Sequence, residues 1–176
     1  MDHADHVRLL RDGVPHEAGT WADLGAGGGA FTLALADLLP PGSRIYAVDK
    51  DGGALRELAE AYRKSDPRIE TRRADFTRAL DLPGLDGVVM ANSLHFVKDK
   101  EAVLARVWAL LKPAAPLLIV EYDTDGGNMW VPHPFSFETW RTLAVTTHFT
   151  EPRLLATHPS RFLRRIYSAS TTRPAT

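Results

Sequence analysis

Strand-like and helix-like segments alternate through the first two thirds of the sequence, and this alternation restricts the fold more than any other feature. Apolar runs of strand length are separated by stretches in which apolar residues recur every three or four positions. Such an order requires crossover connections, which predicts a parallel sheet with helices on both faces. The strand-like runs are residues 20–24, 44–49, 69–73, 86–92 and 116–123, and the helix-like stretches are residues 30–40, 51–65 and 100–111.

The last third of the sequence departs from this pattern. A predicted helix over residues 135–147 precedes two strand-like runs, residues 152–157 and 162–170, with only His-Pro-Ser-Arg between them. So short a connection excludes a crossover and predicts an antiparallel hairpin. We therefore predict a single α/β domain over residues 1–176, with its core over about residues 19–170. Its sheet is predicted to be seven-stranded, doubly wound and mostly parallel, in a Rossmann-like arrangement.

The two ends of the chain carry weaker patterns. Apolar residues before Pro15 predict a short N-terminal helix. The last six residues, Thr-Thr-Arg-Pro-Ala-Thr, are predicted to be a frayed end.

Composition narrows the classes of function. The 176 residues are too few for a nucleotide-binding domain plus a separate catalytic domain. The net charge is -1, so no large positive field can hold a polyanion, and nucleic acid is not an expected partner. The sequence has no cysteine, which excludes disulfides, thiolate metal sites and a cysteine nucleophile. It also has no signal-peptide profile and no apolar run of membrane-spanning length, so we expect a cytoplasmic protein without a membrane partner.

A glycine-rich turn joins the first predicted strand to the first predicted helix of the alternating region. Its sequence is Asp-Leu-Gly-Ala-Gly-Gly-Gly, residues 23–29. Glycines allow the backbone to approach a ligand closely, and the N-terminus of the following helix favours a carboxylate or phosphate. Asp49 ends the second predicted strand, where a carboxylate can accept hydrogen bonds from both hydroxyls of a ribose. The turn and the carboxylate together predict a nucleotide-type ligand.

The same turn also satisfies the G-x-G-x-x-G/A pattern of dinucleotide-binding proteins, so NAD has to be considered. Asp23 comes just before the glycines of the turn, where it would face the pyrophosphate of a dinucleotide but suits a ligand with an ammonium group. Asp75 follows the third predicted strand and offers an acceptor for an adenine amino group, with Phe76 beside it to cover the ring. These features weigh against NAD. Structural alternatives stay open, since Asp23 could cap the turn, Asp75 could cap a helix and Phe76 could belong to the core.

In these motifs the sequence resembles the class I methyltransferases that depend on S-adenosylmethionine (SAM), in the small-molecule branch that includes quinone-biosynthesis C-methyltransferases. The resemblance covers roughly residues 19–170. It is carried, in this order, by DLGAGGGAF, AVD, AD, ANSLHFV and LLKPAAPLLIVE. The first motif is fairly specific, whereas the others are short and contribute through their order. One departure is informative. Amino-methyltransferases that act on nucleic acid bases or glutamine carry N/D-P-P-Y/F after the fourth strand, where this chain has Asn-Ser-Leu-His, so we do not expect exocyclic-amine chemistry on bases.

The resemblance implies a role for each matching residue. Four residues would surround the methionine portion of SAM: Asp23, Gly25, Gly27 and Gly29. Four others would hold the ribose (Asp49), the adenine (Asp75 and Phe76) and the methionine side of the cofactor (Asn92).

The methyl acceptor should meet residues that follow the fourth and fifth strands, at the carboxyl edge of the sheet. His95 is the first candidate for a general base, because a neutral imidazole can accept a proton near neutral pH. Glu121 could be the base instead, or could hold His95 or a substrate group. In the structural alternatives, His95 only bonds its own loop or packs on the cofactor, and Glu121 is a carboxylate facing solvent. Residues 128–137 have the composition of a loop that covers a small aromatic or apolar acceptor.

Three histidines raise the question of a metal. His3 and His6 are spaced like ligands on one helix face, and His16 follows them, but no carboxylate-rich cluster accompanies them, so we expect no metal site. The leading hypothesis is methyl transfer from SAM to an oxygen or carbon of a small molecule, with release of S-adenosylhomocysteine. Its alternatives are an NAD(P)-binding oxidoreductase fragment and a non-catalytic SAM-binding regulatory module. A homodimer is possible, because a second copy could enclose the acceptor.

Overall fold

The computed structural model describes residues 1–62 and 68–175. The helices are α1 (His3–Leu10), α2 (Ala30–Leu38), α3 (Gly52–Tyr62), α4 (Lys100–Leu110) and α5 (Phe137–Thr146). The strands are β1 (Thr20–Leu24), β2 (Arg44–Asp49), β3 (Ile69–Arg73), β4 (Gly87–Ala91), β5 (Pro116–Tyr122), β6 (Arg153–Ser160) and β7 (Arg164–Thr172). The end of the helix predicted over residues 51–65 lies outside the described residues.

The strands form one seven-stranded sheet in the order β3-β2-β1-β4-β5-β7-β6. Strands β1 to β5 pair in parallel, whereas β7 pairs antiparallel with both β5 and β6. The predicted doubly wound sheet with a C-terminal antiparallel hairpin is therefore confirmed. The strand order reverses between β1 and β4, and a crevice for a ligand opens at the carboxyl ends of strands at such a point.

The sheet is covered on both faces because its central strands are continuous apolar runs. In β4, the side chains of Val88 and Met90 pack in the layer formed by α4 and α5, whereas Val89 and Ala91 pack in the layer formed by α1 and α2. Because successive side chains of a strand point to opposite faces of the sheet, β4 contributes to both layers. Among the described residues, no helix has the length and apolar character needed to cross a membrane.

The C-terminal hairpin is tighter than the sequence predicts. Strand β6 continues through the predicted connection, because residues 158–160 pair with the first residues of β7. Pro159 is tolerated there because β6 is the edge strand of the sheet. The connection shortens to residues 161–163.

The predicted frayed end is wrong for its first residues. Thr171 and Thr172 complete β7. The guanidinium of Arg173 lies 3.7 Å from the centre of the Trp108 ring. It also donates hydrogen bonds to the backbone carbonyls of Trp108 and Leu111. A cation–π contact and two hydrogen bonds therefore hold this part of the chain against α4.

Candidate active site

The turn between β1 and α2 depends on glycines with left-handed backbone. Gly25 has φ +86° and Gly29 has φ +85°. A Cβ atom at Gly25 would lie 2.4 Å from Cβ of Ser93, and a Cβ atom at Gly29 would lie 2.2 Å from Cδ1 of Leu58. Both positions therefore need glycine, for conformation and for space.

The carboxylate of Asp49 fastens this turn to the end of β2. Its Oδ2 accepts a hydrogen bond from the Gly27 N–H at 2.8 Å, and its Oδ1 accepts one from the Asp51 N–H at 2.8 Å. A carboxylate can accept about four hydrogen bonds. Asp49 therefore keeps acceptor capacity for a ligand while it fixes the turn.

A cavity of about 480 Å³ opens beside the turn, at the carboxyl edge of the sheet. Its lining brings together residues at or after the carboxyl ends of β1, β2, β3 and β4: Gly25, Gly27, Asp49, Lys50, Ala74, Asp75, Phe76, Thr77, Asn92, Ser93, Phe96 and Val97. Asp75 accepts bonds through Oδ1 from the backbone N–H and the hydroxyl of Thr77, at 2.9 and 2.7 Å. These two bonds hold the pKa of Asp75 below its usual value. Asp75 therefore faces the cavity as a carboxylate.

Asp23 lies at the other side of the turn and is buried. The Thr32 hydroxyl donates to its Oδ2 at 2.7 Å. Burial raises the pKa of Asp23 to about 6, and the nearby Asp49 carboxylate adds to the rise while the Thr32 bonds oppose it. A cation beside Asp23 would favour its ionised form.

A second cavity, of about 430 Å³, lies on this side of the turn. It shares Gly25, Gly27 and Asn92 with the first cavity and adds Asp23 and His6 to its walls. Asn92 adopts a left-handed φ of 50°. Its Oδ1 is buried and has no hydrogen-bond partner among the residues that the structure describes. An unpaired buried acceptor beside a buried carboxylate is suited to a ligand that donates hydrogen bonds.

Glu121 and His95 form a buried pair behind the cavities. Glu121 Oε2 lies 2.7 Å from His95 Nδ1. Its Oε1 accepts hydrogen bonds from three consecutive backbone N–H groups, those of Ser93, Leu94 and His95, at 3.2, 2.9 and 3.3 Å. The carboxylate thus orders the 3₁₀ turn Leu94–Phe96 that follows β4. Within the described part of the chain, His95 Nε2 makes no hydrogen bond.

The predicted cofactor residues converge on the two cavities, with one exception. Gly29 lines neither cavity, because it packs on Leu58 and precedes the first residue of α2. The predicted bases lie deeper: His95 is 2% exposed and lines neither cavity, and Glu121 is fully buried. The open alternative that Glu121 faces solvent is therefore wrong.

Sequence reasoning missed three residues of the site: Thr32, Lys50 and His6. A hydroxyl in the first turn of the helix after the glycines was a usable signal for Thr32. Lys50 follows Asp49 directly, so its position beside the cavity could also have been inferred. His6 could not, because its place depends on how α1 packs.

The loop after β5 only partly matches the predicted acceptor cover. Phe135 is buried in the core beside Trp140. Met129 and Trp130 instead face solvent, 87% and 70% exposed, on a turn that the Asn128 side chain closes by accepting two backbone N–H bonds. The backbone N–H of His133 donates to the carbonyl of His95 at 3.0 Å, which fastens the loop to the site.

Comparison with known proteins decides the family. A family model described as a methyltransferase domain matches residues 22–117, more than half of the chain. The chain belongs to this methyltransferase family. The prediction of a class I methyltransferase that uses SAM is confirmed at the level of family and cofactor. The first four motifs lie in the matched segment, which ends within the fifth, before Glu121.

Individual relatives agree on the fold of this methyltransferase. The YcgJ protein from Bacillus subtilis superposes with a TM-score of 0.80 at 12% identity, over 98% of this chain and 99% of that one. The Burkholderia thailandensis 1,6-didemethyltoxoflavin-N1-methyltransferase, solved with 1,6-didemethyltoxoflavin and S-adenosylhomocysteine, superposes with a TM-score of 0.76 at 18% identity, over 98% and 78%.

A curated relative differs in the substrate that its name gives. The ribosomal RNA small subunit methyltransferase H of Bradyrhizobium diazoefficiens is 32% identical over 101 residues, which are 51% of this chain and 30% of the relative. The matches to curated relatives span between 23% and 43% of the length of those proteins.

The residues of this site fit SAM. The carboxylates of Asp49 and Asp75 offer acceptors to hydroxyl and amino groups on one side of the turn. Asp23 and the unpaired Oδ1 of Asn92 offer acceptors to an ammonium on the other side. A Cβ atom added at Gly27 or Gly28 would meet nothing within 4 Å, so the backbone between the two sides is open to a ligand.

Proposed function

We propose that this methyltransferase binds SAM across the glycine turn and methylates an oxygen or carbon of a small molecule. The observation that carries the proposal is the pair of cavities that share Gly25, Gly27 and Asn92. A ligand with a nucleoside at one end and an amino acid at the other matches them, with Asp49 on the nucleoside side and Asp23 on the amino acid side.

Within that arrangement each predicted cofactor residue has a defined task. Asp49 accepts from the ribose hydroxyls, and Asp75 accepts from the adenine amino group while Phe76 covers the ring. Asp23 and Asn92 accept from the ammonium. Gly25 and Gly27 allow the close approach of the turn, and Gly29 starts α2.

Bound SAM supplies a methyl group on a sulfonium sulfur, which is already activated for displacement. The residues of the chain then have to align the acceptor with that methyl and exclude water, and such alignment can contribute about 7 to 11 kcal/mol to lowering the barrier. The acceptor side is rich in aromatic rings. Phe96 lines the first cavity and is 61% exposed. This composition supports a flat, largely apolar acceptor.

The rings form a continuous row at the carboxyl edge of the sheet. His95 lies 4.3 Å from Phe96 and 5.8 Å from Tyr122, and Tyr122 lies 5.9 Å from Phe162 of the β6–β7 connection, between ring centres. We propose that His95 accepts the proton that the acceptor loses, through Nε2. Glu121 holds Nδ1 and thereby sets the tautomer, because a bond at one ring nitrogen fixes which nitrogen can act as base.

Ribosomal RNA is the competing acceptor, favoured by the similarity to the Bradyrhizobium enzyme. Two observations support the small molecule instead. The net charge of -1 offers little attraction to a polyanion. The segment after β4 is Asn-Ser-Leu-His and lacks the Pro-Pro signature of exocyclic-amine chemistry.

Calorimetry with S-adenosylhomocysteine tests the cofactor site. Wild type should bind it, and Asp49→Asn should weaken binding at least about tenfold, because bonds between a carboxylate and ligand hydroxyls are lost. The matched control is Asp37→Asn, which changes a carboxylate that is 61% exposed and pairs with His3. NADH is titrated in parallel. Binding of NADH alone would indicate an oxidoreductase.

The acceptor is then sought with radiolabelled SAM against a panel of small aromatic hydroxy compounds and, separately, small-subunit ribosomal RNA. Label in a small product supports the proposal, and label in the RNA overturns its acceptor class. Cofactor binding without transfer to any acceptor on either arm would indicate a regulatory module.

A further inference from the structure

Helix α1 is held in place by contacts at both of its sides. Arg8 donates to the backbone carbonyl of Thr157 in β6 at 3.2 Å and lies 3.0 Å from Nδ1 of His158. On the other side, the ring of His6 packs on Phe31 of α2 at 4.7 Å between centres. The orientation of His6 therefore follows from the packing of α1 between β6 and α2.

The two histidines of α1 have different surroundings. His3 lies 2.7 Å from the Asp37 carboxylate at the surface. His6 instead lines the second cavity, together with Asp23 and Asn92. No group of three metal-ligating side chains occurs in the part of the chain that the structure describes.

The second cavity is rich in acceptors but has few side-chain donors. Asp23 and Asn92 Oδ1 provide acceptors for an ammonium. In an amino acid, the carbon that carries the ammonium also carries a carboxylate, and that carboxylate needs N–H donors. Of the described side chains that line this cavity, His6 and Asn92 are the ones that carry N–H groups.

We infer that His6 donates a hydrogen bond to the carboxylate at the amino acid end of bound SAM, so that α1 completes the cofactor site. This inference rests on the proposed function. Burial lowers the pKa of His6, which keeps it neutral at neutral pH, and a neutral imidazole still carries one N–H to donate.

The test compares two ligands that differ at the amino acid end. S-adenosylhomocysteine has the amino and carboxyl groups, whereas 5′-methylthioadenosine has the same nucleoside and thioether without them. Calorimetry measures both ligands with wild type, His6→Leu and His6→Gln. His3→Ala is the matched control, because it changes a histidine of the same helix that faces the surface.

His6→Leu should weaken S-adenosylhomocysteine about tenfold or more, as expected for the loss of a hydrogen bond to a charged group, and leave 5′-methylthioadenosine within about twofold. His6→Gln, which keeps an N–H donor, should recover most of the affinity. His3→Ala should match wild type with both ligands.

Equal weakening of both ligands by His6→Leu would overturn the inference, since α1 would then act only through packing. Unchanged binding of both ligands would also overturn it. If wild type bound neither ligand, the proposed function itself would fail.

Discussion

Glu121 Oε2 and His95 Nδ1 are 2.7 Å apart in a part of the protein that water does not reach. The other oxygen of Glu121 accepts hydrogen bonds from three backbone N–H groups that follow β4. One carboxylate therefore connects β5 to the turn after β4, and it fixes the imidazole that we propose as the base.

Glu121→Gln should destabilise the fold by about 2 to 4 kcal/mol, because the amide group presents hydrogens toward donors that need an acceptor. Urea denaturation measures the change, with constant m-values as the check that the unfolded state is unaltered. Glu138→Gln is the control, since Glu138 is 77% exposed and its ion pair with Arg141 lies at the surface. A Glu121 variant as stable as this control would contradict the prediction.

His95→Ala should lower turnover about 10²-fold or more once an acceptor is known. Its affinity for S-adenosylhomocysteine should change less than about threefold, because His95 lines neither cavity. His95→Asn separates chemistry from positioning: its amide can still donate to Glu121 but cannot act as a base. Turnover rescued by His95→Asn would leave His95 only a positioning role. His16→Ala, at an exposed histidine, is the control.

Asp23→Asn should stabilise the ligand-free protein while weakening its cofactor binding. The folded-state pKa of Asp23 is raised from 3.8 to about 6, so the folded protein loses stability through this group as pH rises through that range. Above it, the full cost of the buried charge, up to about 3 kcal/mol, is present. Thermal unfolding at several pH values should show the variant more stable above the range and equal to wild type below it. A variant less stable than wild type at neutral pH would contradict this account.

The affinity of wild type for S-adenosylhomocysteine should fall as pH drops below about 6, because protonation of Asp23 removes the charge that attracts the ammonium. Calorimetry in matched buffers measures the dependence. Asp23→Asn supplies the reference, because every other titratable group is the same in both proteins and only the difference between the two curves belongs to Asp23. Parallel curves would show that Asp23 does not bind the ammonium.

Gly29→Ala and Gly28→Ala form a matched pair on one turn. Gly29 has φ +85° and no room for a Cβ atom, so alanine there should destabilise the fold by about 1 to 3 kcal/mol. A Cβ atom at Gly28 would meet nothing within 4 Å, so alanine there should change the free energy of unfolding by less than about 0.5 kcal/mol. Denaturant titration of the two variants side by side checks the contrast, and equal losses would refute it.

Local sequence patterns were sufficient to predict most of the fold. The runs at residues 20–24, 44–49 and 69–73 are the observed strands β1, β2 and β3, because continuous apolar or β-favouring residues and the turns around them leave few alternatives. The extension of β6 was not accessible in this way. Pro159 reads as a strand breaker in isolation and is allowed only because β6 lies at the edge of the sheet.

The site shows the same distinction between local and long-range information. The positions of Asp23, Asp49 and Asp75 could be predicted because each lies at or just after the carboxyl end of a strand that faces the crevice. The pairing of Glu121 with the N–H groups after β4, and the inward position of His6, could not. Both depend on contacts between segments far apart in the sequence, and no local periodicity encodes those contacts.

The strand order reverses between β1 and β4, and the site around this point is built from two successive segments of the chain. Except for His6, the side chains proposed to hold the nucleoside and the ammonium come from residues 23–92, whereas the rings of the acceptor side come from residues 95–162. Apart from Phe96 and Val97, which line the first cavity, and Glu121, which holds the turn after β4, we expect mutations in the second segment to change cofactor affinity little. If the acceptor lies against these rings as proposed, a lineage built on this scaffold would acquire new substrates by divergence of its C-terminal half, and we expect chimeras that keep the turn after β4 together with Glu121 to show altered specificity.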